Sequence, residues 1–268
     1  MQNAVRKLFR KCPASLRLLL ERSNRGRIVS RKLGKAAGGR RFMASPEASL
    51  IWAWPWSTGE SDPVLTSFCA EFIKPGAVVW DFGAHMGVFS FTAAAYAGSG
   101  GKVLAVEPDP FLSNLMLRSE RFRRPEDAPT TVLTAAVSAE LGFATLEVPE
   151  RSRASNALSG KSDCSQKGGV RNSFEVVVVT ADHLARTYPA PSILKMDIEG
   201  SELDALKGGE NIFKASKPVM LLEVYDNIAA ETTRLLHALN YRLFDAENPG
   251  KPRKEISRAT HNTLAIPK

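Results

Sequence analysis

Residues 78–109 read V-V-W-D-F-G-A-H-M-G-V-F-S-F-T-A-A-A-Y-A-G-S-G-G-K-V-L-A-V-E-P-D. Val78, Val79 and Trp80 make a short apolar strand that ends in a carboxylate, Asp81. Gly83 and Gly87 bracket a tight turn, and Val88 to Ala97 hold enough Ala, Phe and Val for a buried helix, which Gly98 to Gly101 ends. Val103 to Val106 are apolar again and stop at a second carboxylate, Glu107. Strand, turn, helix and strand in this order predict a βαβ unit of an open α/β sheet. In such sheets ligands bind beyond the carboxyl ends of the strands, where both acids stand.

The glycine spacing narrows the ligand. A dinucleotide fingerprint is G-x-G-x-x-G, which brings backbone N–H groups and a helix N-terminus to a pyrophosphate. Here the spacing is G-x-x-x-G, and His85 takes the place of the middle glycine. Asp81, just ahead of the turn, would repel a pyrophosphate and favour an ammonium or sulfonium group. S-adenosylmethionine carries both. Glu107 is then placed to accept hydrogen bonds from ribose hydroxyls, as the acid ending the second strand does in dinucleotide folds. Asp81, Gly83, His85, Gly87 and Glu107 are the expected cofactor-binding residues. Turn chemistry alone would explain Gly83 or Asp81 separately, but not two acids at two strand ends.

The second informative stretch is S-I-L-K-M-D-I-E-G-S-E-L-D-A-L-K-G-G, residues 192–209. Ile193 to Met196 predict a strand, with Asp197 and Glu199 at its end and Gly200 turning the chain. Ser201-x-x-Asp204 has the form of a capping box with Asp for Glu, opening a helix that Gly208 stops. Helix-dipole stabilisation would account for Glu202 and Asp204, and accounts poorly for Asp197. Asp197 and Glu199 are the candidate catalytic pair, for holding the methionine moiety, orienting an acceptor or taking its proton. Between the two stretches, Thr131 to Val137 predict a third strand, and Ser138 at its end is the candidate contact to adenine. His183 and Glu223 are weaker candidates for the base.

The remaining strand and helix patterns alternate, which predicts a mostly parallel sheet with helices on both faces. Residues 150–173 are rich in Ser, Gly, Arg and Lys without periodicity, a lid over the acceptor or plain disorder. The composition divides the chain into a basic arm (1–50), an aromatic segment with a leading helix (51–75) and a catalytic domain (76–268). Residues 1–41 hold thirteen Lys or Arg against one acid, Glu21, a net of +12; the rest therefore carries −4 of the overall +8. The arm reads as a solvated extension packed on the domain, with contact to an anionic membrane surface next and an organelle transit segment third. No stacking pattern or recognised module supports nucleic-acid binding. Ile51 to Trp56, with three tryptophans beside Pro55, are expected to pack on the core or line a pocket mouth. Cys12, Cys69 and Cys164 lack metal or disulfide spacing and suit a reducing compartment, so the expected location is cytoplasmic. No metal cluster of the His/Cys type is visible, and no apolar run is long enough to span a membrane.

D-F-G-A-H-M-G (81–87), V-E-P-D-P (106–110) and L-K-M-D-I-E-G-S-E-L-D-A-L-K-G-G (194–209) resemble the FkbM family of S-adenosylmethionine-dependent methyltransferases. The resemblance continues through T-A-D-H-L (180–184), L-L-E-V (221–224) and H-N-T-L-A-I-P (261–267), over roughly residues 76–267. It implies the Rossmann-like class I methyltransferase fold, a seven-stranded sheet whose last strand runs antiparallel. It also implies that Asp81, Gly83 and Gly87 meet the cofactor's methionine end, that Glu107 holds the ribose, and that Asp197 and Glu199 lie near the reaction centre. Methylation of a hydroxyl on a sugar, polyketide or similar small molecule is the implied activity. His85 stands where the family usually has asparagine, and Ala181 where it has leucine. The rival readings are a nicotinamide-dependent oxidoreductase, opposed by the missing glycine and by Asp81, and a non-catalytic module binding a membrane surface or partner through its arm.

Overall fold

The computed structural model describes residues 14–54, 62–161, 168–248, 250 and 252–268, with side chains from residue 19 onward. The described chain opens with α1 (Ala14–Ser23) and a hairpin of β1 (Val29–Lys32) and β2 (Arg41–Ala44). Then α2 (Pro63–Phe72) leads into β3 (Val78–Phe82), α3 (Val88–Ala97), β4 (Lys102–Val106), α4 (Pro110–Glu120) and β5 (Thr130–Leu133). A separate run of strands follows: β6 (Ala136–Val137), β7 (Gly142–Pro149), β8 (Ala157–Leu158) and β9 (Val170–Val179). Alternation resumes with α5 (Ala181–Leu184), β10 (Ile193–Met196), α6 (Glu202–Lys207), α7 (Glu210–Ser216), β11 (Val219–Glu223), α8 (Asp226–Ala238), β12 (Tyr241–Asp245) and β13 (Asn262–Pro267). Two helices start by one device. An Asp before a Pro in the first turn accepts backbone N–H groups: Asp62 from Val64 and Leu65, and Asp109 from Phe111.

The main sheet has the order β12-β13-β11-β10-β3-β4-β5. All neighbours are parallel except where β13 runs antiparallel between β12 and β11, so the expected seven-stranded sheet with an antiparallel last strand is present. Strand alternation sorts the side chains onto two faces. Trp80, Phe82, Leu194, Met196 and Met220 pack with Leu206, Phe213 and Leu236 from α6, α7 and α8. Val79, Val103, Ile193 and Leu221 pack on the other face with Phe68, Phe89 and Ala93 from α2 and α3. Asp81 and Lys195 are the buried exceptions, and the parallel register of β3 and β10 sets them side by side.

The boundary expected at residue 50 is not where the packing changes. Leu33, Phe42, Met43 and Trp52 share one core with Met86, Phe91, Leu112 and Met116, so this stretch is a layer laid over α3 and α4. Two of its basic residues turn inward, and the other described ones stay exposed. The Arg40 guanidinium is buried against Glu120 (2.7 Å) and Asp127 (3.8 Å) and lies 4.3 Å over the Phe91 ring. Arg31 donates to the Trp52 carbonyl, and Arg22 and Arg25 both pair with Glu150. Trp52 lies edge-on to Phe42, ring centres 5.1 Å apart; Trp56, Cys12, Cys164 and residues 1–13 of the arm lie outside the described residues. No described helix is long and apolar enough to cross a membrane.

The single third strand expected over 131–137 is two strands in two sheets. β5 ends at Leu133, and β6 joins a second, four-stranded sheet of order β6-β9-β7-β8. Residues 150–161, the described first half of the expected loop, make a short 3-10 turn at Arg153–Ser155 and the edge strand β8. That path carries them over the carboxyl ends of the main strands.

Candidate active site

A cavity of about 420 Å³ opens over the ends of β3, β4 and β10. Its wall includes Gly83, His85, Glu107, Lys195, Asp197 and Glu199, so six charged or turn residues drawn from three strand ends converge there. Gly83 makes the convergence possible. Its φ is +76°, and a Cβ on it would fall 1.8 Å from the Asp197 carbonyl oxygen, so the turn after β3 touches the end of β10 backbone to backbone. His85 also has positive φ, +55°. Histidine is among the non-glycine residues that tolerate that region, so His85 can hold the turn.

Glu107 is buried, and each of its oxygens accepts a backbone N–H: Oε2 from His85 at 2.8 Å and Oε1 from Asp109 at 2.9 Å. Burial pushes its carboxyl up to about 7, against the pull of those two amides. The His85 imidazole is lowered to about 4 by burial and by the Lys195 ammonium, and is neutral at physiological pH. Asp81 and Gly87, expected to touch the cofactor, are not in the cavity wall. The Asp81 carboxylate is fully buried, bonded by the Ser90 hydroxyl and 3.5 Å from Lys195 Nζ. Burial raises its pKa, and Lys195 and Ser90 offset that only in part. Gly87 starts α3 with the Phe91 ring where a Cβ would go. Ser138 is not in the wall either: its N–H donates to Val179, and Ala135, Ala136 and Val137 line the cavity instead.

Sequence reasoning passed over Lys195, which holds the centre. Nζ donates to the Gly83 carbonyl (3.0 Å) and faces Asp81 (3.5 Å) and Asp197 (3.3 Å). Burial works against the ammonium, and Asp197 and Asp81 outweigh it, so its pKa is raised. A lysine inside an apolar strand was the available signal, since a charge is seldom buried there without a partner.

The acidic loop after β10 also differs from expectation. Ser201 makes no cap hydrogen bond, and its buried hydroxyl has no partner in the protein. The buried Glu202 carboxylate replaces the expected capping box by accepting from the Ile198 and Gly200 N–H groups, while Asp204 pairs with Lys161. That loop holds Glu199 at φ +53°, where Oε2 accepts from the Tyr225 hydroxyl at 2.7 Å. Glu223 lies behind it, 3.4 Å from the His261 ring, its carboxyl raised to about 8 by burial and by Asp197 and Glu199. His183 is exposed on α5 and takes no part in the cavity wall. Among the described residues no group of three or more His, Cys, Asp or Glu could hold a metal ion.

Besides Asp81, three glutamates here bind a proton more tightly in the fold than in the open chain. Their contribution to stability is full below the ordinary glutamate value of 4.5. It is lost as pH rises through about 7 for Glu107 and Glu202 and about 8 for Glu223. The urea midpoint of the unliganded protein should fall between about pH 5.5 and 8.5, and Glu202→Gln, always neutral, should flatten part of that slope. An unchanged slope in the variant would remove Glu202 from this account.

Residues 81–243, more than half of the chain, match the methyltransferase FkbM domain. The chain belongs to the FkbM methyltransferase family. This methyltransferase is 25% identical over 220 residues to the hexuronic acid methyltransferase AglP of Haloferax volcanii, a match covering 79% of this chain and 82% of that protein. The crystal structure of methyltransferase FkbM from Methylobacillus flagellatus KT is 18% identical with a TM-score of 0.45; the match covers 76% of this methyltransferase and 52% of that chain, about half its length. A SAM-dependent O-methyltransferase from Thermotoga maritima is 16% identical, covering 85% of this chain and 73% of that one, with a TM-score of 0.41.

Proposed function

We propose that the protein moves a methyl group from S-adenosylmethionine to a hydroxyl of a small, sugar-type acceptor. The observation that carries this reading is Glu107 at the end of β4, seated on the cavity with the glycine turn on one side and an apolar wall on the other. The residues present fit such a cofactor. Each Glu107 oxygen takes one amide and keeps a lone pair for a ribose hydroxyl. Lys195, Asp197 and Glu199 stand at the end where a charged amino-acid moiety would lie. The cavity falls within the roughly 300–1,000 Å³ typical of small-molecule sites.

When bound, the cofactor supplies a methyl group on a positively charged sulfur. The chain contributes orientation, the acidic surroundings, and a base for the acceptor's proton. Asp197 is our first choice for that base. Its side chain is partly open, and its Oδ2 lies 3.3 Å from Lys195 Nζ. Glu199, tied to the Tyr225 hydroxyl, is the second. The sugar-type acceptor draws its support from the Haloferax volcanii relative, a hexuronic acid methyltransferase.

Thermal unfolding with S-adenosylhomocysteine, S-adenosylmethionine or NAD tests the reading. A ligand at 100 times its Kd adds ~2.7 kcal/mol, enough to raise the midpoint by a few degrees in a chain this long. The adenosyl ligands should give that rise, and Glu107→Ala should abolish it. A rise with NAD alone would overturn the proposal.

A further inference from the structure

The hairpin laid over α3 and α4, together with the end of α4, carries cations that no acid answers. Residues 29–44 hold five Lys or Arg and no acid. Arg31 and Arg40 turn into the fold, while Lys32, Lys35 and Arg41 stay exposed. At the end of α4 the acids are already taken. Glu120 pairs with Arg40 and Arg123, Asp127 with Arg40 and Arg124, and Glu126 with Arg124. Lys32, Arg41, Arg118 and Arg121 form no ion pair among the described residues.

These four side chains are neighbours. Lys32 and Arg41 stand directly opposite each other in the antiparallel register of β1 and β2, where like charges destabilise the pairing. The Arg41 and Arg121 guanidiniums both lie over the Phe122 ring, 5.8 and 4.8 Å from its centre. Arg118 precedes Arg121 by three residues, on the same side of the last turn. An exposed ring holds a cation weakly, and it does not remove the repulsion between two. A helix C-terminus favours cations, which accounts for Arg118 and Arg121 but not for the hairpin pair. Guanidiniums gathered in this way suit the oxygens of a phosphodiester, which they grip as forks. Leu117, 54% exposed, stands four residues before Arg121 on α4, beside these cations. An apolar side chain among unpaired cations fits a headgroup layer, into which it can dip. A nucleic acid would use the cations and leave Leu117 idle.

We infer that the face made by Lys32, Arg41, Arg118, Arg121 and Leu117 seats the protein on an anionic lipid bilayer. Arg118, Arg121 and Leu117 lie outside the basic arm, so the contact is a property of the folded layer. α4 begins at the cavity, where Leu112 is in the wall, and at 1.5 Å per residue Arg121 lies roughly 14 Å further along the helix. The face is thus separate from the cavity, and the inference does not depend on which cofactor or acceptor fills it.

Co-sedimentation of the full chain with phosphatidylcholine vesicles, with and without a quarter of phosphatidylglycerol, tests this. The protein should bind the anionic vesicles alone and leave them as salt rises. Arg41→Gln and Arg121→Gln should each weaken binding about fivefold, the worth of one cation near such a surface. Leu117→Ser should weaken it about fourfold or more, through lost burial in the headgroup boundary. Lys214→Gln with Arg234→Gln removes two exposed cations from α7 and α8, on the sheet's other face, and should leave binding within about twofold. Wild-type protein that ignores anionic vesicles would overturn the inference. So would arginine variants that bind as wild type does, since the contact would then lie elsewhere. An equal loss in the Lys214 and Arg234 variant would also overturn it, leaving only an effect of net charge. Unchanged vesicle binding by Leu117→Ser, with duplex RNA binding lost in the arginine variants, would give the face to nucleic acid instead.

Discussion

Asp197→Asn should lower turnover by roughly 10²–10⁴-fold, the usual contribution of a positioned base, while leaving S-adenosylhomocysteine affinity within about threefold. The exchange keeps the shape of the side chain and removes only its ability to hold a proton. Lys195 keeps Asp81 and the Gly83 carbonyl as partners, so the turn that forms the cofactor's end of the cavity should survive. The measurement pairs titration of the product cofactor with transfer of labelled methyl to a sugar acceptor found by screening. Turnover within about threefold of wild type would take Asp197 out of the mechanism and pass the role to Glu199. A parallel loss of cofactor affinity would make Asp197 a cofactor ligand and not a base.

Lys195→Met should cost about 3–5 kcal/mol of folding stability, the range for removing one partner of a buried ion pair. The methionine fits the volume, but Asp81 is then left at the centre of the sheet with the Ser90 hydroxyl as its hydrogen-bond partner, and the Gly83 carbonyl loses its donor. The loss should shrink as pH falls, because burial already raises the Asp81 pKa and a protonated carboxyl needs no cation. Urea unfolding near pH 8 and pH 6 would show both effects. A loss below about 1 kcal/mol would mean that Lys195 serves the ligand and not the fold. The double variant Asp81→Asn with Lys195→Met should recover much of the stability, since no charge remains to be left unpaired.

The central unit was legible because its signals are local. Apolar runs ending in Asp81 and Glu107, with glycines between, fix a strand, a turn and a helix within about thirty residues, the scale of a βαβ unit. Glu107, Asp197 and Glu199 were placed on the cavity by the same logic of strand ends. The two long strands of the second sheet were legible as the β-rich runs 143–148 and 174–180. Their joining into one sheet was not, because Ala136 pairs with Val178 across a polar stretch whose Ser, Gly and Arg content reads as loop. Glu47, Arg153 and Arg171 were invisible for a related reason. Two arginines converge on one glutamate from segments far apart in the chain, and charge pairing over such separations leaves no periodic trace. Ser201 misled through a familiar spacing: the loop it sits in is tied by Glu202, whose carboxylate lies nearer the free N–H groups.

Glu199 and His85 are both held at positive φ, a backbone region where glycine would sit without strain. Keeping a side chain there costs roughly 1–2 kcal/mol at each position. Replacement of either by glycine would relax the backbone and at the same time strip a functional group from the cavity wall. Selection for heat tolerance alone would therefore erode this pocket at these two positions, so stabilising variants of the enzyme are better sought away from the cavity wall, where firmness and chemistry do not compete.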